Sequence, residues 1–334
     1  FTCGSSRVDN DDALIDEISS IMPTHVISFI GRTHGRIGEK VFTTIDYLEE
    51  EGKLVENMRD NLYGPLLLCE ICTQLGIHFT YLGTGCIFKF DEEHPFGIEE
   101  NGFVEDSLPN FFGSSYSVVK GFTDRLMKFY KNDVLNLRIR MPITGGYNGR
   151  NFITKITTYE KVCSVPNSMT VLPELLPFVL QMMKDNIKGT VNLTNPGLVS
   201  HNEILDMYKE LVDPEFTYNN FNMQEQRSIL AADRSNNFLE TTKLETLFPE
   251  ILHIKDSIRN CLMDYKRTLP KKIFTSEAKN ILITGGCGFI GSNFINYYFP
   301  KMKFDKLVNL DAMYYCASEE NVDESIRNSE KYIL

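Results

Sequence analysis

Short apolar runs rich in β-branched and aromatic residues alternate with longer segments of helical periodicity in the first half of the chain. The clearest predicted strands are residues 25–30, 78–82 and 134–139, and the segments 53–75 and 117–130 between them have helical periodicity. Strands and helices that alternate in this way are typical of a parallel sheet covered by helices. The chain is therefore predicted to form a doubly wound, Rossmann-like α/β domain.

The pattern changes twice further along the chain. After Arg140 it loosens into loops with shorter predicted helices at 172–186 and 200–211, as expected of a smaller substrate-binding portion. A basic, proline-containing stretch then precedes a new strand. We expect a first domain at 1–268 (1–146 mainly cofactor-binding, 147–268 mainly substrate-binding), a linker at 269–278, and the start of a second dinucleotide-binding domain at 279–334.

Composition and charge narrow the choice of partner. The net charge of -11 argues against nucleic acid, because nonspecific affinity for it comes from clustered Lys and Arg. The chain has neither a run of about 18 apolar residues nor a signal peptide, so we predict a cytoplasmic protein that does not enter a membrane. Eight irregularly placed cysteines suit a reducing compartment. The chain begins at Phe1 without a methionine and stops at Leu334 in mid-pattern, so we expect a piece of a longer fused polypeptide.

Tyr116 and Lys120 form a Tyr-x-x-x-Lys pair in a predicted helix. Residues four apart lie on one helix face, and an ammonium beside a phenol stabilises the phenolate and lowers its pKa from about 10. Such a tyrosine can act as general acid to a carbonyl while hydride arrives. Thr84 follows a predicted strand, at the end where ligands bind in open α/β sheets, and could hold the substrate oxygen. The alternative is a solvated, charged helix face.

The cysteines and histidines of the chain do not form a metal-binding motif. Cys69 and Cys72 form a Cys-x-x-Cys pair, but they lie inside an apolar predicted helix without a second pair at zinc spacing. The six histidines are scattered along the chain. We therefore predict core cysteines and no metal site.

A second dinucleotide-binding motif lies near the end of the chain. Predicted strand 280–284 runs into a Gly-x-x-Gly-x-x-Gly loop of Gly285, Gly288 and Gly291, and Asp311 follows twenty residues later at the end of another predicted strand. Strand, glycine loop, helix and acid in this order are specific for a dinucleotide site. The acid can accept hydrogen bonds from ribose hydroxyls, which favours NAD.

Residues 1 to about 260 resemble the bifunctional UDP-4-keto-6-deoxyglucose 3,5-epimerase/4-reductases of plants and some giant viruses, which make UDP-L-rhamnose. The matching blocks are 83–88, 109–116, 138–143, 150–155, 165–170, 192–197 and 234–237. The stretch 28–35 is more similar to the viral members. The resemblance implies the fold of an extended short-chain dehydrogenase/reductase.

The resemblance also implies catalytic roles. Thr84, Tyr116 and Lys120 match the reductase triad, and Cys86 and Lys155 match the positions that the family assigns to epimerisation. Epimerising the carbons beside a ketone requires an acid and a base that flank the ring, so two side chains suffice. The alternatives are a small core cysteine and a surface lysine.

Further residues are predicted to bind the substrate. Arg150, Asn151, Asn167 and Arg234 are candidates for contacts with the sugar or its diphosphate, since guanidinium groups suit phosphate oxygens. Structural hydrogen bonding in loops is the alternative. The expected substrate is a UDP- or dTDP-linked 4-keto-6-deoxy sugar.

For the NADPH or NADH of the first domain, the predicted contacts are Arg7, Gly31 and Asn61. Relatives begin with a strand and a glycine loop that receives the cofactor diphosphate, and residues 1–7 resemble the second strand and its loop, with Arg7 near the ribose or a 2'-phosphate. We therefore expect the chain alone to bind this cofactor poorly. Pro173 stands where relatives usually carry an acid. We expect this difference to affect the start of a helix more than the chemistry.

The tail resembles the start of nucleotide-sugar 4,6-dehydratases, at residues 284–292 and 308–316. It is interpreted as a fused dehydratase that stops before its catalytic residues. An alternative is that its strand and helix complete the cofactor site of the first domain in a permuted arrangement. Two other readings of the whole chain stay open: a 4-reductase for a dTDP-linked sugar without epimerase activity, and an inactive nucleotide-sugar-binding fragment. A homodimer is one assembly that we consider.

Overall fold

The computed structural model describes residues 2–221, 234–269, 280–301, 303–314 and 317–334. They belong to two compact units, Phe1–Leu269 and Pro270–Leu334. Among these residues, no helix combines the length and apolar character needed to cross a bilayer.

The first unit alternates strands and helices along the chain. Its strands are β1 (His25–Ser28), β2 (Gly35–Ile37), β3 (Lys40–Phe42), β4 (His78–Thr84), β5 (Val134–Ile139), β6 (Lys161–Val162), β7 (Gly189–Asn192) and β8 (Asn219–Asn220). Its helices are α1 (Asp11–Ile21), α2 (Leu54–Met58), α3 (Gly64–Gln74), α4 (Ser115–Met127), α5 (Phe152–Ile156), α6 (Leu172–Lys184), α7 (His201–Leu211), α8 (Thr242–Leu247) and α9 (Ile254–Thr268). Short 3-10 turns cover Ile45–Glu49 and Lys128–Tyr130.

The central sheet is parallel, with strand order β1-β4-β5-β7. Ser28 at the end of β1 is in register with Tyr81 of β4, and Thr84 at the end of β4 is in register with Ile139 at the end of β5. The carboxyl ends of these strands therefore lie at one edge, where α/β sheets bind ligands. The predicted α/β fold with a parallel sheet is confirmed.

Apolar side chains fill both sides of this sheet. Val134 packs with Leu14, Phe79 and other residues of α1, α3 and β4, whereas its neighbour Leu135 packs with Leu175 and other residues of α6 and β7. Successive strand residues point to opposite faces, so the two clusters are the two layers of the domain. A third cluster joins α5, α7 and α9 in the portion after Arg140.

The helix predicted at 53–75 is interrupted by a π-helical turn at Arg59–Tyr63. Pro65 has no N–H to donate to the carbonyl of Asn61, and Thr123 Oγ1 donates to that carbonyl instead, at 2.7 Å. The substitution of a side-chain donor for a backbone donor fastens this turn to α4. Pro173, in contrast, lies in the first turn of α6, where proline is tolerated.

The resemblance of residues 1–7 to a second strand and its following loop implied a strand here, which the described residues 2–7 do not form. The backbone N–H groups of Ser5 and Ser6 donate to the carboxylate of Glu17 in α1, both at 2.7 Å. These donors are therefore satisfied by a helix side chain, and they lower the pKa of Glu17 to about 2. The β2–β3 hairpin, which turns at Gly38 with φ of 58°, was not predicted.

The second unit contains β9 (Asn280–Thr284), α10 (Phe289–Tyr298), β10 (Lys306–Leu310), α11 (Glu324–Arg327) and β11 (Tyr332–Ile333). Its strands are parallel in the order β11-β10-β9. Ile281, Ile295 and Leu307 form its core with Val322 and Ile326. The strand–loop–helix–strand order predicted for the tail is present in these residues.

A buried ion pair links α4 to β5 behind the ligand-binding edge. Arg138 donates to both oxygens of Asp124, at 2.9 and 2.8 Å, and their side chains are 0% and 5% exposed. The remaining guanidinium N–H groups reach Val104 O and Ser107 O. Because a buried charge without its partner is costly, this pair fixes the position of α4.

We expect Asp124→Asn to lower the free energy of unfolding by about 3–5 kcal/mol, because it leaves the buried Arg138 charge uncompensated. Urea unfolding at 25 °C measures this loss. Glu210→Gln is the control, because its partner Arg259 is 45% exposed and an exposed pair contributes less than about 1 kcal/mol. Equal losses in the two variants would contradict this role of the buried pair.

Candidate active site

Tyr116 and Lys120 lie in the first two turns of α4 and are only 9% and 5% exposed. The helix begins at the N-cap Ser114, whose hydroxyl accepts from Ser117 N. Ser117 Oγ in turn donates to Cys86 O at 2.7 Å and ties this turn to the loop after β4. Burial of both side chains excludes the alternative of a solvated, charged helix face.

Thr84 ends β4 beside Tyr116. Its hydroxyl accepts from Cys86 N at 3.1 Å and forms a hydrogen bond that favours the Tyr116 phenolate. Burial and the nearby Cys86 nevertheless raise the pKa of Tyr116 well above its usual value. The sequence predicted that Lys120 would lower the pKa of Tyr116, but the net change is upward. Burial has the larger effect, and the Lys120 ammonium bonds to another partner.

That partner is Tyr81 of β4. Lys120 Nζ donates a short hydrogen bond to Tyr81 Oη and lies 4.7 Å from the centroid of the ring. Burial lowers the pKa of Lys120 to about 8, and attraction to Asp124 and Cys86 only partly opposes the change. Lys120 therefore sits near the balance between its charged and neutral forms at neutral to mildly alkaline pH.

Cys86 is a free, half-buried thiol that packs against Tyr47, Leu48 and Tyr116. It is thus closer to the surface than Cys69 and Cys72, which are fully buried and whose pKa values burial raises to about 12. The latter two are core residues, as predicted from the apolar helix. Among the described residues, no group of three or more His, Cys, Asp or Glu side chains could hold a metal ion.

A buried polar network supports the loop that carries Cys86. Arg140 Nη1 and Asn237 Nδ2 both donate to Gly85 O, at 3.3 and 2.9 Å. Arg140 also donates to Asn167 Oδ1 at 2.7 Å, and all three polar side chains are 0–1% exposed. The sequence did not single out Arg140 or Asn237, although both fall in the blocks of family resemblance.

Asn151 and Asn167 are engaged within the protein. Asn167 also accepts from Asn237 N and donates to Val165 O, so its amide has protein partners on both sides. Asn151 caps α5 by accepting from Ile153 N at 3.3 Å, and its Nδ2 donates to two carbonyls. This arrangement matches the alternative of structural hydrogen bonding for both residues.

Arg150 and Lys155 lie in a basic cluster with His34. Arg150 donates to His34 Nε2 at 2.9 Å, which requires a neutral imidazole. Burial and the charges of Arg150 and Lys155 lower the pKa of His34, and burial and Arg150 lower that of Lys155. The loop after β1 and the start of α5 therefore meet at a site with surplus positive charge. His34 was not predicted as a site residue, although it lies in the stretch that resembles viral relatives.

Arg234 forms an ion pair with Asp46 at 2.9 Å. Tyr159 lies close enough for Arg234 to lower its pKa, although burial makes the net shift upward. Arg234 is thus partly neutralised, unlike Arg150.

The residues predicted to contact the first cofactor occupy different environments. Arg7 is exposed and donates to both oxygens of Asp9. Asn61 is fully buried and pairs with the backbone of Arg32, donating to its carbonyl and accepting from its N–H, both at 2.9 Å. A Cβ at Gly31 would lie 3.1 Å from Asn61 Oδ1, so the loop after β1 passes close to this amide.

The glycine loop of the second unit joins β9 to the start of α10. Gly285 has a φ of 71°, and a Cβ at Gly291 would lie 2.3 Å from Gly285 O. Gly288 is the N-cap of α10 and supplies no side-chain cap, so the helix N-terminus is open to an anion. Asp311, at the end of β10, accepts from Cys287 N at 2.7 Å.

Comparison with known proteins gives related sequences and structures, although no protein-family model matches the chain. The L780 protein of Acanthamoeba polyphaga mimivirus is 55% identical over 261 residues, which are 78% of this chain and 88% of L780. Its crystal structure, described as a UDP-rhamnose synthase, superposes with a TM-score of 0.74 over 78% of this chain and 89% of that one.

Two Arabidopsis thaliana proteins are also related. A bifunctional dTDP-4-dehydrorhamnose 3,5-epimerase/dTDP-4-dehydrorhamnose reductase is 46% identical over 77% of this chain and 82% of its own length. A trifunctional UDP-glucose 4,6-dehydratase/UDP-4-keto-6-deoxy-D-glucose 3,5-epimerase/UDP-4-keto-L-rhamnose-reductase is 45% identical, and the match covers 37% of it. The predicted family resemblance is thereby confirmed: the chain belongs to the family of nucleotide-sugar 3,5-epimerase/4-reductases of rhamnose synthesis.

Proposed function

We propose that the first unit converts a UDP-linked 4-keto-6-deoxyhexose to UDP-L-rhamnose by 3,5-epimerisation and NAD(P)H-dependent reduction of the 4-keto group. The observation that carries this proposal is the convergence of Thr84, Cys86 and Tyr116 at the carboxyl end of β4, with Lys120 one helical turn away. A UDP-linked substrate is supported by the description of L780, at 55% identity, as a UDP-rhamnose synthase.

In the reduction, Tyr116 donates the proton to O4 of the sugar. A raised pKa keeps its phenol protonated until the oxygen becomes basic. Thr84 holds the carbonyl oxygen beside the phenol, and the Lys120 ammonium stabilises the negative charge that develops as the proton leaves. A nicotinamide cofactor supplies the hydride that adds to C4.

In the epimerisation, Cys86 and Lys155 exchange the protons at C3 and C5. A proton next to the C4 ketone leaves to a base on one face of the ring, and an acid returns one on the other face. The half-buried Cys86 thiol lies beside Tyr116, and burial with the charge of Arg150 lowers the pKa of Lys155 below its usual value, which favours loss of its proton. Both proton exchanges precede the reduction, because the C4 ketone that acidifies these protons is lost when hydride adds to C4.

Arg150 is proposed to hold the diphosphate of the substrate, because its cluster has surplus positive charge while its histidine neighbour is neutral. Arg234 is proposed to contact the sugar or the diphosphate after exchanging its bond to Asp46. For Asn151 and Asn167 the proposed role is to position the loops around the substrate.

Gly31 and Lys120 are proposed to line the nicotinamide end of the cofactor site, with Asn61 holding the loop that carries Gly31, and Arg7 is proposed to contact the adenosine end. The exposed Arg7 can exchange Asp9 for a phosphate. The close approach of Gly31 to Asn61 leaves the loop after β1 without a side chain at that point, which suits a bound group.

The second unit is proposed to be the start of a 4,6-dehydratase-like domain that binds NAD. Gly285, Gly288 and Gly291 would hold the diphosphate at the start of α10, and Asp311 the ribose hydroxyls. A dehydratase that makes the keto-sugar occurs in one polypeptide with the epimerase and reductase in the trifunctional relative, according to its name. Fusion within a longer chain and a homodimeric assembly stay proposals.

Tyr116→Phe is expected to lower kcat for reduction by about 10²–10⁴-fold, because it removes the general acid without removing the ring. The assay follows cofactor oxidation with UDP-4-keto-L-rhamnose, which is already epimerised. Tyr130→Phe is the control, because its hydroxyl bonds to Glu70 outside the site. Retention of reductase activity in Tyr116→Phe would overturn the proposed mechanism.

Cys86→Ala is expected to abolish conversion of UDP-4-keto-6-deoxyglucose and to spare reduction of the already epimerised sugar. The two substrates are compared by product analysis, with the buried Cys163→Ala as control. If Cys86→Ala still yields UDP-L-rhamnose from UDP-4-keto-6-deoxyglucose, the thiol is not needed for epimerisation. If the unmodified protein reduces this substrate without epimerising it, the chain is a reductase without epimerase activity. Activity on neither substrate in the unmodified protein would favour a nucleotide-sugar-binding fragment.

Calorimetry with NADH and NADPH separates the two proposed cofactor sites, on this chain and on a version that ends at Thr268. We expect weak binding by the shorter version, whose sequence has no Gly-x-x-Gly-x-x-Gly loop, and additional binding by the full chain. Gly291→Val should remove the additional binding, since its Cβ would meet Gly285 O. Equal affinity in all three proteins would contradict a cofactor site in the tail.

A further inference from the structure

Lys120 of α4 bonds to Tyr81, a residue that the sequence patterns did not predict to belong to the site. Tyr81 lies on β4, three residues before Thr84, and is 1% exposed. Its phenol oxygen accepts a short hydrogen bond from Lys120 Nζ. The strand that carries the Thr84 hydroxyl therefore also carries the acceptor for the ammonium.

A buried ammonium needs such an acceptor. Removing a charged lysine from water is costly unless hydrogen bonds or opposite charges replace the lost hydration. Tyr81 provides both an oxygen and a ring face, because Lys120 Nζ is 4.7 Å from the ring centroid. The Lys120 ammonium is thus held by the phenol oxygen of this one residue.

Other titratable groups around Lys120 come from three elements. Asp124 lies one turn further along α4 and favours the charged lysine, and so does Cys86 in the loop after β4. Asp124 is shared with Arg138 of β5, which takes both of its oxygens. Its attraction for Lys120 is therefore partly compensated, and the Tyr81 oxygen is the neutral acceptor in direct contact with the ammonium.

Tyr81 and Tyr116 have separate roles. Burial raises the pKa of Tyr81, and negative charge on Tyr116 and on Asp124 raises it further. When Tyr116 loses its proton, Tyr81 consequently stays neutral and does not compete as an acid. It continues to accept from Lys120 throughout the proton transfer.

We propose that Tyr81 is a positioning residue of the reductase site, whose phenol oxygen fixes the Lys120 ammonium and keeps it charged while Tyr116 acts as the acid. This inference rests on the proposed roles of Tyr116 and Lys120. It adds a residue that acts through Lys120 and does not touch the substrate.

The test replaces Tyr81 by Phe, which keeps the ring and removes the oxygen. Without its acceptor the ammonium is less stable, so the pKa of Lys120 should fall by about one unit or more. In the protein labelled with [ε-13C]lysine, NMR titration gives this pKa directly, and Lys120→Met identifies the signal. The alkaline limb of kcat should move to lower pH by a similar amount, with KM for the sugar changed less than about twofold.

Tyr265→Phe is the matched control, because Tyr265 is also 1% exposed and its hydroxyl bonds to Thr154 at 2.8 Å. Both variants lose one buried hydrogen bond, but only Tyr81→Phe should shift the Lys120 titration. An unchanged Lys120 pKa and pH profile in Tyr81→Phe would overturn the inference. If the unmodified protein lacks reductase activity, the proposed function fails, while the NMR titration still decides whether Tyr81 sets the charge of Lys120.

Discussion

The parallel pairing of β4 with β5 is the constraint on which the candidate site depends. The paired strands end at the same level, with Thr84 opposite Ile139. The loop after β4, which contains Cys86, and the segment after β5 therefore leave the sheet side by side. Arg140, the first residue after β5, can then donate to Gly85 O in that loop. The register of one strand pair thus places the loop that contains Cys86 and the Arg140 side chain that supports it.

Polar groups buried behind this edge make the arrangement rigid. The pair of Arg138 and Asp124 fastens α4 to β5, and Ser117 fastens the first turn of α4 to the loop after β4. Tyr116 and Lys120 are therefore carried by a helix with fixed position relative to Thr84. We propose that this fixed position preorganises Tyr116 and Lys120 for proton transfer.

Several strands could be predicted from the sequence because each is a short run rich in apolar residues. The strand at 134–139 is rich in apolar residues, with polar Asn136 and Arg138 between them, and has the predicted bounds. The described residues 2–7, for which the family resemblance implied a strand, form none, and the N–H groups of Ser5 and Ser6 donate to Glu17 instead. A long-range acceptor of this kind leaves no signal in the local pattern.

The residues of the candidate site likewise fall into those that the local sequence predicts and those that only long-range contacts place. Tyr116 and Lys120 could be predicted because their spacing reflects helix geometry, and Thr84 because it ends a strand. Tyr81, His34 and Arg140 act through contacts between segments far apart in the chain. Neither their spacing nor their residue type distinguishes them from ordinary core or loop residues.

The most direct test of the account follows hydrogen through one conversion of UDP-4-keto-6-deoxyglucose in D2O with unlabelled NADPH. NMR of the product should find solvent deuterium at C3 and C5, where protons are exchanged, and hydrogen from the cofactor at C4. Product without deuterium at C3 and C5, or with solvent deuterium at C4, would contradict an epimerase and reductase in this one chain.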